Sequence, residues 1–176
     1  MNLLRLVSLQ IGNEVSYHEL ASSLNLSKNT VEKYLDLLSR VFILFKLGGY
    51  NKNLRKEISK SSKWYFYDNG IRNALASDFN PLALRNDHGF LWENYIMAER
   101  LKFHSLLGNL TRQYFWRTYD HQEIDLVEED TATLRAYEFK WKQTHQVTPP
   151  IAWRNAYPGA SYQVIHPLNY MQFLKH

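Results

Sequence analysis

The sequence predicts an α+β chain, grading into α/β in its second part, organised as two domains over residues 1–67 and 68–176. Three observations lead there. Apolar residues recur at helical spacing through residues 3–41, interrupted by serines suited to helix caps. From residue 112 onward, short β-branched and aromatic runs alternate with turn residues. A length of 176 residues, with 45% hydrophobic and 22% charged residues, suffices for two small buried cores.

Leu3, Leu4, Leu6, Val7 and Ile11 specify a first short helix, which Gly12-Asn13 ends because both residues tolerate positive φ. Ser16-Tyr17-His18-Glu19 has the form of a capping box, so a second helix starts near Tyr17 and runs through Leu24. Asn25-Leu26 makes a tight turn, Ser27 is a fresh cap, and Val31, Tyr34, Leu35, Leu38 and Val41 trace a third helix. Two short helices joined this way predict a helix-turn-helix, whose second member offers its N-terminal side chains to the major groove. Lys28, Asn29, Glu32 and Lys33 are the outward set. Apolar-aromatic strands at 41–47 and 64–67 complete the unit as a β-wing.

Between those strands charge is concentrated. Residues 46–63 hold six of the 21 basic residues (Lys46, Lys52, Arg55, Lys56, Lys60, Lys63) against the single acid Glu57, a local charge of +5 within a chain of net +4. Neutralising phosphates releases condensed counterions, so Lys52, Arg55, Lys56 and Lys60 join Lys28, Asn29 and Lys33 as candidate nucleic-acid contacts. A solvated loop and a protein-docking face are the competing readings. Palindromic DNA would call for a homodimer, and the sequence offers no dedicated dimerisation helix.

In the second part, Asp68-Asn69-Gly70 reads as a turn and Pro81 as a stop. Phe90, Leu91, Asn94, Met97, Ala98 and Leu101 describe a helix capped by Asn86 or Asp87, with Glu93 in its first two turns. Runs at 112–118, 123–129 and 134–141 form a three-stranded meander. A fourth strand at 161–167 follows a crossover long enough for a short helix after Pro149. Alternation sets Tyr137, Phe139 and Trp141 on one side and Glu138, Lys140 and Lys142 on the other, while Ile124 and Leu126 oppose Glu123 and Asp125. Adjacent charged faces bring Asp125, Glu138 and Lys140 into one small volume. Phosphodiester hydrolysis calls for oxygen ligands to a hard cation such as Mg²⁺, with Mn²⁺ as a substitute, and a lysine to orient water and offset developing charge. Spacing alone leaves solvated strand faces with cross-strand ion pairs as the simpler reading.

Zero cysteines remove disulfides and thiolate zinc sites, and no apolar run approaches the roughly 20 residues needed to span a bilayer. The N-terminus lacks the features of a signal peptide, so a cytoplasmic protein is expected. His121 and His145 read as surface residues, and Trp92, Trp116, Trp141 and Trp153 as core packing rather than stacking platforms for bases.

The order of the pieces carries a resemblance. The helix-turn-helix and wing, then SKWYFYDNGIRNAL, GFLWENYIMAERL, YFWRTYDHQEIDLV and AYEFKWK, resemble the C-terminal region of bacterial and archaeal AAA-type ATPases that carry a domain of unknown function after their ATPase module. The pattern is met by Lys63 through Ile71 (Lys-x-Tyr-Phe-x-Asp-x-Gly-Ile), by Glu93-Asn94, by Glu123-Ile124-Asp125 and by Glu138-Phe139-Lys140. That last domain is similar to the PD-(D/E)XK nuclease fold, a central mixed sheet flanked by helices. The resemblance implies a helix carboxylate at Glu93, metal ligands at Asp125 and Glu138, a catalytic lysine at Lys140, DNA as the partner, and Mg²⁺ as the cofactor. No G-x-x-x-x-G-K-[ST] is present, so the chain has no route to ATP of that kind. An ATPase module is therefore expected upstream of Met1 or in trans. The competing expectations are a noncatalytic docking or DNA-sensing module for that ATPase, and a simple transcriptional regulator, which leaves the second part without a task.

Overall fold

A computed structural model describes residues 2–51, 62–143 and 148–175. Among them the helices are α1 (Asn2–Ser8), α2 (Tyr17–Leu24), α3 (Lys28–Arg40), α4 (Asn69–Ala76), α5 (His88–Leu107), α6 (Ile151–Ala156) and α7 (Tyr170–Phe173). The strands are β1 (Leu44–Gly49), β2 (Ser62–Phe66), β3 (Arg112–Arg117), β4 (Glu123–Glu129), β5 (Leu134–Phe139) and β6 (Ser161–Ile165), in a mixed sheet of order β2-β1-β3-β4-β5-β6. The architecture is α+β. Two compact units divide the chain, the first comprising Met1–Leu47 and Lys60–Ala98, the second Gly48–Ser59 and Glu99–His176. Among the described residues no helix is long and apolar enough to cross a membrane.

In the first unit the caps fall where local chemistry puts them. The Ser16 hydroxyl accepts from the Glu19 amide at 3.3 Å and the Ser27 hydroxyl from the Thr30 amide at 3.1 Å, each satisfying a donor that a helix start leaves unpaired. Asn25 closes α2 in the left-handed region, φ 51°. Val7, Ile11, Leu20, Ala21, Val31 and Leu35 are buried.

Asp68-Asn69-Gly70 corrects the turn expected there. Asp68 Oδ1 accepts from the Gly70 amide at 2.6 Å and the Ile71 amide at 3.2 Å, and α4 follows at once. Turn and N-cap use the same short acceptor side chain, so the sequence alone does not separate them. Asp68→Ala is expected to cost about 1 kcal/mol, and Asp68→Ser much less, in urea melts; equal stability of Asp68→Ala and the parent would remove the cap from the account.

Asp87 directly precedes α5, yet its carboxylate is engaged elsewhere. It pairs with Arg85, at 2.8 Å through both Nε and one terminal nitrogen, and with Arg72. The Arg85 hydrogen bond chiefly, helped by Arg72 and opposed by burial, holds that carboxyl at about 2. Arg72 Nε also donates to the Ser8 carbonyl at 3.0 Å, which ties α4 to the end of α1.

The second unit contains the meander. β3 runs antiparallel to β4 and β4 to β5, while β6 lies parallel to β5 after a crossover through α6. Gly48 and Gly49 pair in parallel with Tyr114 and Phe115, and the Tyr50 amide donates to the Phe115 carbonyl at 2.6 Å. Residues counted with the basic loop from sequence thus end a strand, and Tyr50 enters the core. Its neighbours there are Trp116, Ile124, Val127, Ala136 and Trp153. Ile124 and Val127 share this cluster although strict alternation sets them on opposite faces. A register shift between Tyr114 and Trp116 in the β3–β4 ladder supplies the irregularity that permits it.

Candidate active site

Three of the four residues singled out from sequence meet in the second unit. The β4–β5 ladder ends with Leu126 opposite Tyr137, and Asp125 and Glu138 are the next residues of the two strands. Asp125 Oδ2 accepts from the Phe139 amide at 2.7 Å, so its side chain stands in for a ladder acceptor beside the irregularity. Lys140 Nζ donates to Glu138 Oε1 at 2.5 Å, and the Lys140 amide donates to the Ile165 carbonyl at 2.9 Å, which carries the parallel β5–β6 ladder past the end of β5.

The electrostatics follow from that crowding. Burial chiefly, and the neighbouring charge of Asp125, raise the Glu138 carboxyl to about 7 against the opposing pull of Lys140; Glu123 adds a smaller push upward. Burial, with the charges of Glu138 and Asp125, also raises the Tyr162 phenol, on the strand adjoining β5. Two carboxylates that resist sharing negative charge form a site whose occupation by a cation would relieve the strain. Among the described residues no group of three or more His, Asp and Glu side chains is arranged to hold a metal ion. The donor set is the Asp125–Glu138 pair, which with solvent suits Mg²⁺, an ion that keeps several waters and binds one or two carboxylates.

Glu93 lies in the first unit, with local work of its own. Tyr65 Oη donates to Glu93 Oε1 at 2.7 Å, and the buried Lys63 ammonium is 3.7 Å from the same oxygen. Gly12 backs this carboxylate at φ +76°, and a Cβ there would lie 3.1 Å from Glu93 Oε2, so only glycine fits comfortably. The next residue, Asn94, accepts from the Phe66 amide at 2.7 Å, donates to the Phe66 carbonyl at 3.0 Å, and donates to Asn69 Oδ1 at 2.8 Å. Lys63, Tyr65, Phe66, Glu93 and Asn94 of the motif, together with Asn69, therefore latch β2 and the start of α4 to α5. Lys63, counted with the basic loop from sequence, is 1% exposed and belongs to this latch.

Lys28, Asn29, Glu32 and Lys33 are exposed on α3. Lys52, Arg55, Lys56 and Lys60 lie outside the described residues, as does His145. His121 is exposed, with Nδ1 2.8 Å from the Arg117 guanidinium. Trp92, Trp116 and Trp153 are buried as core residues, whereas Trp141 is half-buried.

Sequence reasoning missed one polar centre. Glu128 is fully buried, bridged at 2.8 Å by both Arg100 Nε and a terminal nitrogen, 2.7 Å from His104 Nε2, and 3.1 Å from Gln113. Its only advance signal is the i, i+4 spacing of Arg100 and His104 on α5.

Over 143 residues the chain is 32% identical to an uncharacterized protein of Mycobacterium tuberculosis and, to the same extent, to one of Mycobacterium bovis, covering 80% of this chain and 31% of each relative. The chain thus spans about a third of the length of the curated relatives it matches. No solved structure matches it. Residues 1–82 match the family described as Domain of unknown function (DUF8612), and residues 88–166 match the family described as Domain of unknown function (DUF4143).

Proposed function

We propose that the chain is a DNA-associated module of an AAA-type ATPase, in which a winged helix-turn-helix positions a PD-(D/E)XK-like domain that hydrolyses phosphodiesters with Mg²⁺. The observation that carries this reading is that the Asp125 carboxylate, held by the Phe139 amide, is near enough for its charge to raise the Glu138 carboxyl, to which Lys140 is hydrogen-bonded. Bound there, Mg²⁺ or Mn²⁺ would polarise a phosphate and acidify a coordinated water. Asp125 and Glu138 would hold the ion, with Asp125 kept in orientation by the Phe139 amide. Lys140 would turn from Glu138 toward the attacking water and offset charge developing on the phosphate. Lys28, Asn29 and Lys33, with Lys52, Arg55, Lys56 and Lys60, would supply phosphate contacts. Glu93, the helix carboxylate of the same resemblance, accepts from Tyr65 and pairs with Lys63. A cytoplasmic setting and an ATPase module upstream of Met1 or in trans belong to the same reading.

The test is incubation of the purified chain with single- and double-stranded DNA plus Mg²⁺ or Mn²⁺, beside Glu138→Ala and Lys140→Ala. Metal-dependent cleavage confined to the parent protein is expected. Equal rates from all three would defeat the catalytic reading. The second reading, a noncatalytic docking or DNA-sensing module for the ATPase, is favoured by the apolar surface that α3 leaves exposed.

A further inference from the structure

Tyr162 stands beside the carboxylate pair on the neighbouring strand. β5 and β6 are parallel, with Ala136 opposite Tyr162 and Glu138 opposite Val164. Alternation puts Ala136 and Glu138 on one face of β5, and ladder partners share a face, so Tyr162 and Glu138 point the same way. A strand spacing of about 4.8 Å and a rise of about 3.3 Å per residue set their backbones about 8 Å apart, a gap that two long side chains close. The Tyr162 ring is half-buried against the cluster that contains Ala136, Ile124 and Trp153, which fixes the direction of its hydroxyl.

The phenol supplies what the other groups of the site lack. The carboxylates of Asp125 and Glu138 accept hydrogen bonds, and the Lys140 ammonium is already spent on Glu138 at 2.5 Å. Among the described residues the Tyr162 hydroxyl makes no hydrogen bond. Burial, with the charges of Glu138 and Asp125, favours its protonated form. At neutral pH it is therefore a neutral donor, suited neither to take a proton nor to ligate a metal. The acceptors that a phosphodiester brings to such a site are its non-bridging oxygens, where charge builds as water attacks. We propose that Tyr162 is a catalytic residue whose hydroxyl donates to a non-bridging oxygen of the scissile phosphate. This role rests on the reading of Asp125, Glu138 and Lys140 as a hydrolytic site.

Tyr162→Phe keeps the ring and removes only the donor. Steady-state cleavage with Mn²⁺ is compared on ordinary DNA and on DNA whose linkages are all Rp or all Sp phosphorothioates. On ordinary DNA kcat is expected to fall ~10²-fold with KM within about threefold of the parent's, as for loss of one donor to a developing oxyanion. Sulfur accepts hydrogen bonds poorly, so with one diastereomer the substitution should cost less than about threefold, and with the other as much as on ordinary DNA. The rise in melting temperature caused by Mn²⁺ is expected to be the same in Tyr162→Phe and the parent. An unchanged kcat, or an equal loss on all three backbones, would overturn the proposal and leave Tyr162 a packing residue. Loss of the Mn²⁺-induced rise would overturn it too, by making the phenol a metal ligand. Cleavage by the parent with an equally active Tyr162→Phe defeats only this role, whereas a parent that cleaves none of the DNAs defeats the hydrolytic reading and this role with it.

Discussion

Arg100→Met is expected to cost about 3 to 5 kcal/mol of stability at neutral pH, the range seen when one partner of a buried ion pair is removed. Glu128 is 0% exposed and Arg100 2%, and the guanidinium does three things at once. It bridges both carboxylate oxygens at 2.8 Å, donates to the Phe173 carbonyl at 2.6 Å, and stacks on the Phe173 ring at 4.4 Å. Methionine keeps much of the volume and none of the donors. Burial pushes the Glu128 carboxyl up, but hydrogen bonds from Arg100 and His104 outweigh it and hold the group at about 2. A carboxyl depressed in the folded state stabilises above its ordinary value near 4.5, and that contribution is lost as pH falls toward 2. The deficit of Arg100→Met should therefore be largest at pH 7 and shrink in acid, where Glu128 can take up a proton. Adding Glu128→Gln to Arg100→Met is expected to recover at least about half of the loss, because the uncompensated charge is gone. Urea melts at pH 7 and pH 4 measure both effects. A loss under about 1 kcal/mol at pH 7 would show the cluster to be far better solvated than its burial implies.

Glu138→Gln is expected to do the reverse and stabilise the fold at pH 8. The Glu138 carboxyl is raised to about 7 by burial and by Asp125, so between its ordinary 4.5 and 7 the folded state holds a proton that the unfolded chain has released. Stability then falls as pH rises through that window, and above it the full cost of the buried charge is present. At 1.36 kcal/mol per pKa unit, the gain from Glu138→Gln should be about 3 kcal/mol at pH 8 and close to zero near pH 4. A parallel pair of stability curves, with no divergence between pH 5 and 7, would count against the Asp125–Glu138 repulsion. The cation site proposed for the same pair has a second signature. Millimolar Mg²⁺ or Mn²⁺ is expected to raise the melting temperature of the parent at pH 8 and to leave Glu138→Gln unmoved, since a ligand stabilises only the state that binds it.

The local chemistry was legible in the amino-acid order. Ser16 and Ser27 announce helix starts because a short side-chain acceptor answers donors two or three residues away, and no distant partner is involved. Antiparallel pairing of β4 and β5 follows from two amphipathic runs joined by a short turn, and it brings Asp125 within reach of Glu138. Which face each charge takes was less legible. Alternation counted from Ile124 puts Glu128 on the face of Ile124 and Val127 on the other, yet Val127 shares the cluster of Ile124 and Glu128 does not.

By itself, then, the sequence determined the Ser16 and Ser27 caps and the β4–β5 hairpin that carries Asp125, Glu138 and Lys140, since each depends on residues that are neighbours along the chain or across one hairpin. Only the tertiary structure decided that Lys63 is an interior ion-pair partner, that Tyr50 belongs to a core, and that Arg100 lies inside against Glu128. A basic residue looks the same in sequence whether water or a carboxylate will surround it. Its burial becomes tolerable only when a segment some thirty residues away, such as Glu93 for Lys63 or Glu128 for Arg100, brings the opposite charge.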